Sequence, residues 1–98
     1  MGGPVDIEFD EKKRQQTVRE RGLDFARAGD VFADVHSDNG DDRHDYGEAR
    51  IQTMGFLDGD LVMVVWTPRG ASRRVISMRK CNDREQRKFE RLILGRPG

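Results

Sequence analysis

The side chains able to do chemistry in this 98-residue sequence are arginines on strand-like segments. Arg50 follows Glu48 by two positions, at the head of one apolar stretch. Arg73, Arg74, Arg79 and Lys80 lie in another, RRVISMRK. Strand alternation sends Arg74, Ile76, Met78 and Lys80 to one face and Arg73, Val75, Ser77 and Arg79 to the other. A covered face takes Ile76 and Met78. That leaves Arg79 and Ser77 on an open face, within reach of Arg50 from a neighbouring strand. Two guanidiniums on one face repel unless an anion lies between them. Glu48 is one such anion. A phosphate is another, since a guanidinium holds two of its oxygens through parallel hydrogen bonds. A phosphate shared by Arg50 and Arg79 puts their guanidiniums within about 8 Å of each other. A sheet face solvated by its own charges accounts for the same residues without a ligand.

Other chemistries find little support. No glycine-rich phosphate loop and no Ser/His/Asp pattern is present. His36 and His44 flank several aspartates, but a calcium loop counted from Asp34 needs Gly at its sixth position, where Asn39 stands. A single cysteine, Cys81, forms neither an internal disulfide nor a zinc cage. No metal and no cofactor are expected.

The elements that must hold the arginines follow from patterning. Val5, Ile7 and Phe9 alternate with acids, as in a short half-buried strand. Asp10 caps a helix over about Glu11 to Arg21, which Gly22 ends. That helix is poor in apolar residues, so its inner face uses Lys and Arg stems. Asp24 caps a second helix to about Phe32, with Phe25, Ala28 and Phe32 inward. Ala33 to Ser37 is a candidate strand. Asp38 to Gly47 reads as an acidic, mobile loop. Ala49 to Leu57, Leu61 to Trp66 and Arg73 to Arg79 form a meander, turning at Asp58-Gly59 and at Pro68 to Ala71. The run LVMVVW suits a central strand covered on both faces, with Trp66 in the core rather than stacked on a base. Asn82 and Glu85 make a capping box for a last helix, with Phe89, Leu92 and Ile93 inward and Gly95 and Pro97 ending it. The class is α+β: a single domain over residues 5–94, with an antiparallel sheet of four to five strands and helices mainly on one face.

Composition fits a small polar domain, with 35% apolar and 37% charged residues and a mean hydropathy of −0.83. No apolar run reaches the roughly 18 residues of a membrane span, and no secretory leader is visible, so a cytoplasmic protein is expected. The zero net charge hides an asymmetry. Residues 1–68 hold 8 basic and 15 acidic side chains, whereas residues 69–98 hold 10 and 3. The basic end suits phosphates or an acidic partner. Arg84, Arg87, Lys88 and Arg91 stripe the outer face of the last helix, either as a solubilising face or as a surface for RNA or an acidic partner.

In their order, these segments resemble the BrnT toxins. EFDEKK, RERGLDF and AGDVF are similar to the family's opening strand and first two helices. GEARIQTMG is similar to its Glu-x-Arg strand, LVMVVWT to its apolar strand, RRVISMRK to its Arg-x-Ile-Ser-x-Arg-Lys strand and NDREQRKFE to its closing helix. The resemblance spans about Ile7 to Glu90. Three positions depart from it: Arg21 stands where the family has His, Thr17 where it has Asn, and Met78 where it has Ala. The resemblance implies a RelE-like fold and a ribonuclease toxin of a type II toxin–antitoxin system. It also implies neutralisation by a BrnA-like antitoxin bearing a ribbon-helix-helix domain, with RNA as substrate and no direct DNA or membrane binding. Metal-free RNA cleavage needs a base for the 2′-hydroxyl, cations on the phosphate and an acid for the leaving oxygen. Arg79 and Arg50 fit the cations and Glu48 the base, with His44 as the other candidate. Lys80, Arg74 and Ser77 are the expected substrate-binding residues. A catalytically inactive domain that only binds an antitoxin-like partner is the alternative.

Overall fold

The computed structural model describes residues 5–40 and 49–95. Along the chain run β1 (Asp6–Glu8), α1 (Glu11–Arg21), a 3-10 turn (Phe25–Arg27), α2 (Ala28–Ala33), β2 (His36–Gly40), β3 (Ile51–Leu57), β4 (Asp60–Arg69), β5 (Ser72–Lys80) and α3 (Asp83–Leu94). The five strands form one sheet in the order β1-β5-β4-β3-β2. Three pairings are antiparallel, and β1 joins the edge of β5 in parallel. This is the expected α+β class, with the LVMVVW segment in the central strand.

Local signals set the boundaries. Asp10 accepts from the amides of Lys12 and Lys13 at the start of α1, and Gly22 closes the helix at φ 69°. α1 buries no residue of its own. It is held by ion pairs such as Arg14–Asp24 at 3.1 Å, and by Arg21, whose Nη1 donates to the Met78 carbonyl at 2.8 Å. The Asp24 cap is present, but it opens a 3-10 turn, and the α-helix proper begins at Ala28. The Asp58-Gly59 hairpin has positive φ at both residues, 53° and 87°, as a two-residue I′-type turn requires.

β4 separates two cores. Val62, Val64 and Trp66 point to one face and pack with Phe25, Ala28, Val31 and Phe32. Leu61 and Met63 point to the other and pack with Met54, Cys81 and Phe89. Two of the three helices share the first face and α3 takes the second, so the apolar run is covered on both sides. Trp66 is buried, its Nε1 donating to Thr53 Oγ1 at 2.7 Å.

Three expectations need correction. The second strand begins three residues later than the pattern suggested, so Asp38 to Gly40 belong to β2 and not to a loop. There, Asp38 Oδ1 accepts from Thr53 Oγ1. The remainder of the expected loop, 41–47, lies outside the described residues. On α3 Phe89 is buried, while Leu92 and Ile93 are exposed. A single helix crossing the end of a sheet face has room beneath it for one large ring, which stacks edge-on against Phe56 at 5.5 Å. Finally, strict alternation along β5 fails, with direct consequences for the candidate site.

Candidate functional site

A bulge on β5 decides where the arginines point. The ladder pairs Val65 with Ser77 and Trp66 with Val75, leaving Ile76 as an extra residue. Such a residue resets the alternation of the strand. Val75 and Met78 therefore share the α1–α2 face, both buried. The sequence pattern placed Val75 and Arg73 with Arg79, and Arg74 opposite; the bulge reverses all three. Arg73 lies on the α2 face, its Cζ 4.5 Å from the Phe32 ring centre and 4.4 Å from that of Trp66. Arg74 joins the Arg79 face, with Nη1 at 3.8 Å from Glu8 of β1.

The α3 face thus carries Arg74, Ser77 and Arg79 on one strand. Ile51 packs with the opposite core, so Arg50, its neighbour, starts on this face as well. Continuing the Ile51–Trp66–Val75 row by one residue lines up Arg50, Thr67 and Arg74 across three strands. Two strand spacings separate the Cα atoms of Arg50 and Arg74, about 10 Å. Arg79 pairs with Met63, four residues along β4 from Thr67. Its Cα is therefore about 16 Å from that of Arg50. The expected sharing of one phosphate by Arg50 and Arg79 is not what this register favours; Arg74 is the nearer cation to Arg50. Along β5, Ser77 lies between Arg74 and Arg79, beside half-buried Val65.

Arg79 has a partner that the sequence reading assigned only to a helix cap. Its Nη1 and Nη2 donate to the two Glu85 carboxylate oxygens at 2.8 and 2.7 Å. The same carboxylate accepts from the Asn82 amide at 2.9 Å, closing the capping box. The Arg79 guanidinium holds the Glu85 carboxyl down at about 2, and the carboxylate in turn raises the pKa of Arg79. The signal was present: a capping-box Glu folds back toward the residues preceding its helix, and here those residues end β5.

The other candidates separate. Lys80 lies on the α1 side, 3.4 Å from Asp60, in a groove with Arg21, Asp24 and Arg27, so it is withdrawn from the Arg79 face. Arg21 and Met78, both departures from the BrnT pattern, touch through the hydrogen bond given above. Burial pushes the Cys81 thiol up to about 11, so it supplies no thiolate near neutral pH. Glu48 and His44 lie outside the described residues. Among the described residues no helix is long and apolar enough to cross a membrane.

The sequence matches the family model described as ribonuclease toxin, BrnT, of type II toxin–antitoxin system, over residues 9–85. No curated protein gives a significant match.

Proposed function

A chain matched over more than three quarters of its length belongs to that family of type II toxin–antitoxin ribonuclease toxins, and on that premise we propose that it cleaves RNA without metal on the α3 face of its sheet. The observation that supports this reading is that the β5 bulge sets Arg74 on the same face as Ser77 and Arg79, the face toward which alternation from Ile51 also directs Arg50. Cα positions about 10 and 16 Å apart suit separate phosphates along one RNA strand rather than a single phosphate. Arg50 is the cation that stabilises charge on the scissile phosphodiester, and Arg79 holds another phosphate of the same strand. Arg74 and Ser77 position the strand. Glu48 removes the 2′-hydroxyl proton as that oxygen attacks phosphorus, and the bond to the 5′ oxygen breaks as that oxygen takes a proton from water, leaving a 2′,3′-cyclic phosphate and a 5′-hydroxyl. Arg21, at the family's His position, takes no part as a base because a guanidinium stays protonated. The partner is an antitoxin of the ribbon-helix-helix class, which neutralises the chain in the cytoplasm.

The test is cleavage of a defined RNA by the purified chain, with and without EDTA. Cleavage should be unchanged by the chelator. Arg50→Ala should lower the rate by about a hundredfold or more, the loss of one transition-state cation, and Arg79→Ala should lower it by weakening the hold on the strand. Circular dichroism and thermal melts establish that the variants are folded. Folded variants cleaving at the parent rate would refute this site, and loss of cleavage in EDTA would refute the metal-free mechanism.

A further inference from the structure

Five large apolar side chains are exposed among the described residues, and four of them lie on α3 or on the strand ends beside it. Leu92 and Ile93 lie on α3, three and four positions after buried Phe89, and so on the same side of the helix. Phe56 packs edge-on against Phe89. Val35 follows Phe56 across the β2–β3 pair, one step beyond His36 and Gly55. Leu92 is 52% exposed, Val35 42%, Phe56 40% and Ile93 37%. Of this ridge, Leu92 and Ile93 were expected to face inward with Phe89. Phe89 is buried, and Leu92 and Ile93 are left facing solvent.

Basic side chains predominate beside the ridge, where Glu90, three positions before Ile93, is the exposed acid of the same turns. Arg84, Lys88 and Leu92 recur every four residues and form one row along α3. Arg87 and Arg91 lie outside that row, and all four basic residues are exposed. We propose that this ridge is the docking site of a partner protein, which covers it with an amphipathic helix. The helix lays its apolar stripe on Phe56, Leu92 and Ile93 and sets acidic side chains against Lys88, Arg84 and Arg91. The proposal rests on the reading that an antitoxin neutralises the chain, and assigns it residues other than the site arginines.

Two other occupants fit less well. A second copy seated on the same ridge would pair it with itself about a twofold axis and bring the Arg84–Lys88 rows together with only Glu90 of each copy to offset them. RNA would use the cations but leave the apolar centre uncovered, and stacking on bases needs exposed ring faces, of which the ridge offers only Phe56.

The experiment measures binding of the purified cognate antitoxin to the whole chain by calorimetry, across a salt series. It compares the parent with Leu92→Ser and with Lys88→Glu/Arg91→Glu. RNA cleavage by each free chain and sedimentation of each free chain are recorded in parallel. Leu92→Ser should weaken binding about tenfold to a hundredfold, with cleavage unchanged. The charge reversal should weaken it further and flatten its salt dependence. Thermal melts matching the parent establish that exposed Leu92 can be replaced without unfolding. Unchanged antitoxin binding in both variants would overturn this surface while leaving neutralisation intact. Absence of antitoxin binding by the parent would overturn the neutralisation reading and this proposal with it. A parent dimer abolished by Leu92→Ser would assign the ridge to a second copy. Loss of RNA cleavage with antitoxin binding unchanged in the charge-reversed chain would assign the stripe to RNA. Either result overturns the proposal.

Discussion

Replacing Glu85 by Gln tests whether the Arg79–Glu85 pair ties α3 to the end of β5. Gln keeps the shape of the capping residue and its carbonyl acceptor for the Asn82 amide, but loses the charge facing Arg79. The Glu85 carboxyl is lowered from 4.5 to about 2, which in full corresponds to about 3 kcal/mol. The Arg79 side chain is 43% exposed, so solvent screens the pair and about 1–2 kcal/mol is expected. A carboxyl with a depressed folded pKa stabilises above its unfolded value. This stability is present above pH 4.5 and is lost as the pH falls toward about 2. At pH 7 Glu85→Gln should therefore melt below the parent by about 5–10 °C. The gap should narrow below pH 4.5 and close near pH 2, because the other carboxylates titrate equally in both chains. Thermal melts by circular dichroism at pH 7, 4 and 2.5 measure it. Equal melting temperatures at pH 7, or a gap that persists unchanged to pH 2.5, would refute the pairing.

Gly55→Ala should destabilise the fold by about 1–3 kcal/mol, seen as a lower urea midpoint. A Cβ there would meet Val31 Cγ1 at 2.7 Å and His36 Cβ at 3.1 Å, where α2 packs on β3. Thr53→Val leaves the buried Trp66 Nε1 without its acceptor and should cost about 1–3 kcal/mol, by the same urea titration. With its thiol near 11, Cys81 is about one-thousandth thiolate at pH 8, so it should react slowly with Ellman's reagent in the native chain and rapidly in urea. Fast native labelling would contradict its burial.

Much of this fold is written in short-range signals. Asp10 with Gly22, the Asp58-Gly59 turn, and the Asn82–Glu85 box act within a few residues of themselves, so they appear in the structure where the sequence places them. The run LVMVVW announced a strand covered twice, because six successive apolar side chains alternate between faces that must both be dry. The β5 bulge is different in kind. Nothing in RRVISMRK marks Ile76 as extra. That is settled by which register lets Val75 and Met78 both enter the core beside Trp66 and Val64, a choice made by β4 and the helices behind it. One inserted residue then brings Arg74 to the Arg79 face and turns Arg73 onto Phe32 and Trp66. The exposed Leu92 and Ile93 follow the same logic. Their spacing fixes the side of α3 on which they lie, but whether that side is buried depends on how much sheet remains beneath the helix. The sequence by itself therefore determined which residues carry charge and where the capped helices α1 and α3 and the Asp58-Gly59 turn begin and end. The tertiary packing alone decided which face each charge occupies, because alternation is local only until a long-range contact shifts the register.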